Sequence, residues 1–379
     1  IVLNLVNIGS LSLGSALGLT TEQQLFLLAF GVLLTGVLQV GMQVVPMHGL
    51  GLTLRPAWDV YSDGFKQILW LMGPMILGMA ATQLNTLADD VIAKSLSGSL
   101  EPGGKGEFFE FWGRQIRYPV MDGAVSSLFY TQRLYQFPLG VLGISLATAI
   151  FPVLSDAAAE KNTAKLAEIT MQGFQGALFL ALPSTAGLIL VARPLIAAIF
   201  ERGKFTAADT EMGAGVLICY ALGLSGFFIQ QILPRTFYAL KESKIPARTA
   251  AVAVLFNVVL NLTLIWPMGA AGLALSTSLC SYMQVGIMLW LLRRRMTLGG
   301  ATGFWPVFGK TAAATVLMTL AGAAALAIMA GLPQTTKWDI LRLIVLITIC
   351  GGGYVLCAWR LKNPMLELVF SRRRPQSQG

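Results

Sequence analysis

The chain has 379 residues, of which 55% are hydrophobic and only 12% charged, with a mean hydropathy of +0.69 and a formal net charge of +9. A soluble domain carries about a quarter of its residues as charges and buries an ample core at this length without such apolarity, so a water-soluble globular enzyme is excluded and most of the chain is assigned to lipid. The positive balance needs no nucleic acid, because basic loops beside anionic lipid headgroups account for it.

Apolar runs of about 20 residues, the length that crosses a ~30 Å hydrocarbon core as a helix, recur along the whole sequence. They predict ten spans, near 2–18, 23–46, 66–96, 122–155, 165–192, 211–240, 246–266, 269–292, 307–331 and 337–360. Prolines inside them (Pro74, Pro138, Pro183) are tolerated where neighbours satisfy the freed carbonyl. Strand alternation is not sustained over any useful length. The predicted class is all-α, a polytopic membrane helix bundle. Residue 1 lies inside an apolar helix, with no charged n-region or cleavage site before it, so the sequence is expected to continue upstream.

If residue 1 enters from the cytoplasm, one set of loops holds about 17 of the 27 lysines and arginines, from Arg55 and Lys66 to the runs Arg293–Arg295 and Arg372–Arg374. An even span count then places the C-terminus in the cytoplasm. The segment 97–121 (SGSLEPGGKGEFFEFWGRQIRYPVM) is a long outer loop, and the tail SRRRPQSQG is expected to be disordered. PLGVLGISLATAI at 138–150 and PMGAAGLALSTSL at 267–279 share Pro, Gly, Gly, Leu and Thr at equal spacing, a local echo of the internal repeats on which transporters are built.

The four cysteines all lie in apolar runs without a C-x-x-C pair, and read as small buried side chains. The single histidine, His48, sits at a helix end before a Gly-rich loop. No P-loop, zinc motif or serine–histidine arrangement is present, so the sequence offers no catalytic constellation.

The informative residues are polar ones inside apolar spans. Arg133 lies about 11 residues into the fourth span, where an arginine costs roughly 2.5–3.5 kcal/mol unless it faces a wet cavity or a partner. Two readings stand on physics alone: an anionic ligand gripped by the planar guanidinium, or a structural arginine that pairs with a carboxylate such as Asp89 or snorkels to the outer surface. Ser126, seven residues earlier, shares its helix face. Gln83, Asn85, Asp89 and Asp90 crowd the end of the third span and read as a lined cavity or an ion site. Asn257 and Asn261 stack four apart, and Thr277 lies in the next span. Their oxygens with one carboxylate suit a monovalent cation, although interhelical hydrogen bonding by the asparagines explains the same pattern.

Four stretches carry a family resemblance: MGPMILGMAATQLNTLADD (72–90), RLYQFPLGVLGISLATAIFPVLSDAAAEKN (133–162), ARPLIAAIFERGKFTAADT (192–210) and LPRTFYALKESKIPAR (233–248). With them the chain resembles the MurJ (MviN) lipid II flippase family, within the multidrug/oligosaccharidyl-lipid/polysaccharide exporter superfamily. The resemblance implies a fourteen-helix fold, two six-helix lobes around a cationic cavity followed by two helices that form a lipid groove, with the ten spans here matching helices 5–14. The implied divisions are 1–50 (last two helices of the first lobe), 64–295 (second lobe), 304–365 (groove helices) and 366–379 (basic cytoplasmic tail), with four further helices expected upstream.

The same resemblance implies no enzyme but a bacterial inner-membrane transporter, without a cofactor other than Na+. It would move undecaprenyl-pyrophosphate-linked peptidoglycan precursor outward by alternating access, with membrane lipids and cell-wall synthesis proteins as partners. Arg133, Ser126, Gln83 and Asn85 would line the substrate path, and Asp89, Asn257, Asn261 and Thr277 would form a sodium-like site. Asn261 stands where a carboxylate can occur in the family, Gln132 where aspartate can occur, and the 97–121 loop is a departure with no assigned role. The competing readings are another exporter of the superfamily (an O-antigen-type lipid flippase or a drug/cation antiporter) and a non-transporting membrane scaffold.

Overall fold

The computed structural model describes residues 2–49, 61–99, 105–121, 123–203, 205–297, 301–333 and 335–370, and shows a polytopic helical membrane protein. It divides into two compact units, 1–69 and 70–379. In the first, α1 (Val2–Ala16) and α2 (Thr21–Gly49) pack as a hairpin. The contact is made by small residues: a side chain at Gly31 would meet Ser10, and one at Gly14 would meet Gln24. Close approach of this kind is how helices associate where lipid provides no hydrophobic drive. The side chain of His48 and residues 50–60 lie outside the described residues, as does the tail from 371, while 364–370 forms the short helix that closes the described chain.

The helix α3 (Asp63–Ser95) runs across the boundary between the units. The second unit continues with α4 (Ala124–Pro138), a π-helical stretch (Leu139–Ile144) and α5 (Ser145–Ala159), which together make one long apolar span. Pro138 has no N–H to give to the preceding turn, and the ladder widens immediately after it. Next come α6 (Thr163–Phe200), α7 (Ala207–Leu222), α8 (Leu224–Ala239), α9 (Lys244–Met268), α10 (Ala270–Arg293), α11 (Ala301–Ile328), α12 (Thr336–Arg360) and α13 (Pro364–Phe370).

Starts and stops are chemically marked. Asn162 caps α6 by accepting from the Lys165 backbone at 3.0 Å, and Thr206 with Asp209 forms a capping box at α7. Gly269, at φ 58, makes the abrupt α9–α10 reversal.

Among the described residues, ten helical segments occupy the predicted ranges. Among the described residues, seven helices are long and apolar enough to span a membrane, and α7 with α8, bent by 43°, makes an eighth if counted as one span. At 15 residues α1 is shorter than a hydrocarbon core, and α3 carries charged residues toward both ends.

The structure differs from the expected loop at 97–121, which contains two short ladders. Strand β1 (Ser97–Gly98) pairs in parallel with β4 (Val120–Met121), closing the base of the loop. Strands β2 (Phe108–Phe111) and β3 (Arg114–Arg117) form an antiparallel hairpin through Trp112 and Gly113, both at positive φ as a two-residue hairpin turn requires. Strands of two to four residues are too short to leave a period in the sequence.

The core of the second unit is centred on α6, against which α5, α7, α8, α11 and α12 pack. Leu154, Leu217, Leu233, Phe228, Phe237 and Met288 are among its buried side chains. At the α7–α8 break the backbone touches α10 directly. A side chain at Gly223 would overlap Ser278, and one at Gly226 would overlap Ser281. Ser278 Oγ donates to the Cys219 carbonyl at 2.7 Å, which holds the break in place. The last two spans are tied to α6 by the Tyr354 hydroxyl, which donates to the Phe179 carbonyl at 2.6 Å inside a cluster with Val307, Ala314 and Met318. Cys219, Cys280 and Cys350 are buried and Cys357 is half-buried, all as free thiols. Large apolar side chains are exposed all along the helices (Phe26, Phe30, Phe137, Leu255, Ile347), a surface suited to lipid and not to water.

Candidate functional site

Two loci gather the polar residues singled out from the sequence. The first is a closed ring of hydrogen bonds between α3, α9 and α10. Because α9 presents Asn257 and Asn261 four residues apart, their amides stack, and Asn261 Nδ2 donates to Asn257 Oδ1 at 2.8 Å. The same nitrogen donates across to Asp89 Oδ1 on α3 at 2.5 Å. The sharp α9–α10 turn returns Thr277 beside them. Asn257 Nδ2 donates to Thr277 Oγ1 at 3.3 Å, and that hydroxyl donates to Asp89 Oδ2 at 3.2 Å. Asn257 and Asn261 are fully buried and Asp89 nearly so.

All four residues predicted as a cation site therefore come together. One acceptor is left over, since the buried Oδ1 of Asn261 has no hydrogen-bond partner. Asp89, Asn257, Asn261 and Thr277 supply a single negative charge and neutral oxygens, a donor set that fits a hard monovalent cation. Among the described residues no group of three or more His, Cys, Asp or Glu side chains gathers as a metal site, so a multi-carboxylate centre is not built there.

The second locus is the exposed flank of α4. Ser126 and Arg133, two turns apart, share this flank with Phe129 and Phe137. The Arg133 guanidinium lies 4.8 Å from the centre of the Phe129 ring, and its Nη1 donates to Gln136 Oε1 at 3.4 Å. Pairing of Arg133 with Asp89 is not seen among the described residues: the carboxylate is held by Asn261 and Thr277.

Between the two loci lies a cavity of about 380 Å³. Asn85 and Asp89 line it from α3, whereas Gln83 is exposed on that helix and Arg133 and Ser126 stand outside it. Thr86, Thr277 and Ser281 also line it, together with a set of amides of which only Gln132 stands out in the sequence: Gln132 and Gln136 on α4, Gln230 and Gln231 on α8, and Gln284 on α10. Gln230 Nε2 donates to Gln284 Oε1 at 2.7 Å, which links α8 to α10 across the cavity wall. The available signal was the i, i+4 pair Gln132/Gln136, uncharged amides flanking Arg133 in a largely apolar span.

Comparison with known proteins agrees with this architecture. The sequence profile of the family described as lipid II flippase MurJ matches residues 1–347. A relative from Vibrio cholerae, named a probable lipid II flippase MurJ, is 31% identical over 261 residues, covering 69% of this chain and 45% of its own length. A relative of the same name from Rhizobium tropici is 26% identical over 99% of this chain and 67% of its own length. Overall, the chain spans about half the length of the curated relatives it matches. A solved lipid II flippase MurJ in an inward closed conformation superposes with a TM-score of 0.65 over 95% of this chain and 67% of that one; at 21% identity this is a likeness of fold.

Proposed function

The chain belongs to the lipid II flippase MurJ family, and we propose that it moves an undecaprenyl-pyrophosphate-linked peptidoglycan precursor across the bacterial inner membrane by alternating access. The observation that carries this reading is the placing of Arg133. It is an arginine on the open flank of a membrane helix, joined through Gln136 to a polar cavity and left unpaired with Asp89. An arginine so placed has the fork geometry to hold a pyrophosphate bidentately, and the site makes the charge useful there. Ser126 on the same flank adds a hydroxyl. The α11–α12 hairpin, anchored on α6 by Tyr354, offers the polyprenyl chain an apolar path along its exposed Val316, Leu320, Ile344 and Ile347.

In this reading the Asp89–Asn261–Asn257–Thr277 ring is a sodium-like site that ties three helices together. Binding and release of the ion would bias how α3 sits against α9 and α10, and so favour one access state over the other. The C-terminus is cytoplasmic, following the placement of lysine and arginine.

The test is native mass spectrometry of the purified protein. Retention of a pyrophosphate-linked polyprenyl lipid, lost in Arg133→Ala, is expected. A protein that retains only phospholipid, with or without Arg133, would remove the reading.

A further inference from the structure

A second cavity, of about 580 Å³, lies where the 97–121 hairpin meets the second unit, and it shares no lining residue with the glutamine-lined one. Residues 117–121 form one wall, Glu211, Met212 and Gly215 of α7 a second, and the α9–α10 reversal from Trp266 to Ala271 a third. The walls are held together at their base. Strand β4 is paired to β1, and a side chain at Gly269 would come 3.2 Å from the Pro119 carbonyl, so the reversal lies directly against the approach to β4.

The charges on this cleft leave an excess cation. Among the described residues that line it, Glu211 is the one carboxylate, and it is bound to the Arg193 guanidinium. Arg117 is exposed and forms no ion pair among the described residues. Lys105 Nζ stands 6.0 Å from the centre of the Tyr118 ring, which brings a second cation to the same rim. A free guanidinium of this kind suits phosphate, which it can hold through two parallel N–H···O bonds. The cleft is also continuous with a surface made for lipid. Leu255, Val259, Leu262 and Trp266 follow one another on a single face of α9, and all are exposed. That apolar stripe ends in the cleft wall at Trp266 and Met268. A tryptophan where an apolar stripe gives way to a charged loop is the composition of a membrane–water boundary. Phe108, exposed and opposite Arg117 in the hairpin, adds a second ring beside the guanidinium.

We propose that this cleft binds one anionic glycerophospholipid from the leaflet that borders this end of the bundle. Arg117, beside Lys105, holds the phosphate, and an acyl chain lies along the α9 stripe. A soluble phosphate compound would leave the stripe and Trp266 unused. A zwitterionic lipid would bring an ammonium group to a rim that already carries two cations. The volume falls within the usual range for a bound small molecule, roughly 300–1,000 Å³. A lipid seated there touches the hairpin, α7 and the α9–α10 reversal at once, and so fastens the long 97–121 segment to its lobe at the membrane surface. The proposal stands on the membrane character of the chain and not on the transport reading.

The experiment titrates the purified protein in detergent with dioleoyl phosphatidylglycerol, dioleoyl phosphatidylcholine or glycerol phosphate, and follows the first adduct by native mass spectrometry. The parent is expected to bind phosphatidylglycerol about tenfold more tightly than phosphatidylcholine, and glycerol phosphate far more weakly than either. Arg117→Ala is expected to bring the two phospholipids within about twofold of each other. Gly215→Phe, which places a ring in the open space beside Gly215, is expected to weaken the phosphatidylglycerol adduct about tenfold with Arg117 intact. Thermal unfolding checks that each variant is folded, and Trp266→Ala replaces Gly215→Phe if the latter is not. Arg133→Ala is expected to leave phosphatidylglycerol binding within about twofold, so this site and the transport reading can fail separately. Equal binding of the two phospholipids by the parent, or parent-like binding by Arg117→Ala or by the folded cleft variant, overturns the site. Glycerol phosphate that binds as tightly as phosphatidylglycerol overturns the lipid as its occupant.

Discussion

Asn261 on α9 donates a 2.5 Å hydrogen bond to the Asp89 carboxylate on α3, across 172 residues of sequence. That bond closes a four-membered ring with Asn257 and Thr277. Asn261 gives its nitrogen to two acceptors at once, so its loss should be felt more than that of any other neutral member. Asn261→Ala is expected to lower stability by about 1–3 kcal/mol, the scale for leaving a buried polar partner unmatched, and Thr277→Val by less. Thermal unfolding in detergent checks the order. Equal, negligible shifts would show that the ring does not hold α3 to α9.

The same ring should respond to cations. Sodium chloride, compared with choline chloride at equal ionic strength, is expected to raise the unfolding temperature of the parent, because a ligand that binds only the folded state stabilises it by mass action. Asp89→Ala combined with Asn257→Ala should abolish the shift. If the parent shows no sodium-specific shift, the ion site falls and the ring is interhelical adhesion alone.

Packing at the α7–α8 break gives a third expectation. Gly223 and Gly226 lie against Ser278 and Ser281 with no room for a side chain. Gly226→Leu must push α10 away and should cost about 1–3 kcal/mol or more, the range for overpacking. Gly215→Ala, on α7 with nothing near its missing side chain, should be neutral or slightly stabilising. Folded yield after purification separates the two. Similar yields would mean that the close contact is not maintained.

A fourth expectation concerns the last two spans. Removing the Tyr354 hydroxyl in Tyr354→Phe deletes its bond to the Phe179 carbonyl while keeping the ring in its cluster. A loss of about 0.5–1.5 kcal/mol is expected. Proteolytic susceptibility of the α11–α12 hairpin should rise in the variant, and an unchanged digestion pattern would place the anchoring elsewhere.

Much of this arrangement was legible in the sequence because membrane helices announce themselves by length and apolarity. The ranges of α2 to α12 follow the predicted spans, and the spacing of Asn257 and Asn261 alone puts them on one helix face. The joining of Asp89 and Thr277 to them could be expected only through the family resemblance, since residues 172 and 188 positions apart share no local signal. The hairpin at 97–121 was not legible, because its strands are too short to show alternation. Apart from Gln132, the glutamine lining of the cavity was not legible for a different reason. Single amides in apolar helices look like interhelical adhesion, and their convergence depends on the α7–α8 bend and the return of α10.

The role proposed for Arg133 is to hold an anionic lipid headgroup during translocation. Its most direct test is the appearance of pyrophosphate-linked precursor on the outer face of membranes that depend on the gene encoding this chain, read with a membrane-impermeant label. With Arg133→Ala, precursor at the outer face should fall about tenfold or more, with protein level and unfolding temperature unchanged. Parent-like labelling of the outer face by that variant would contradict the account.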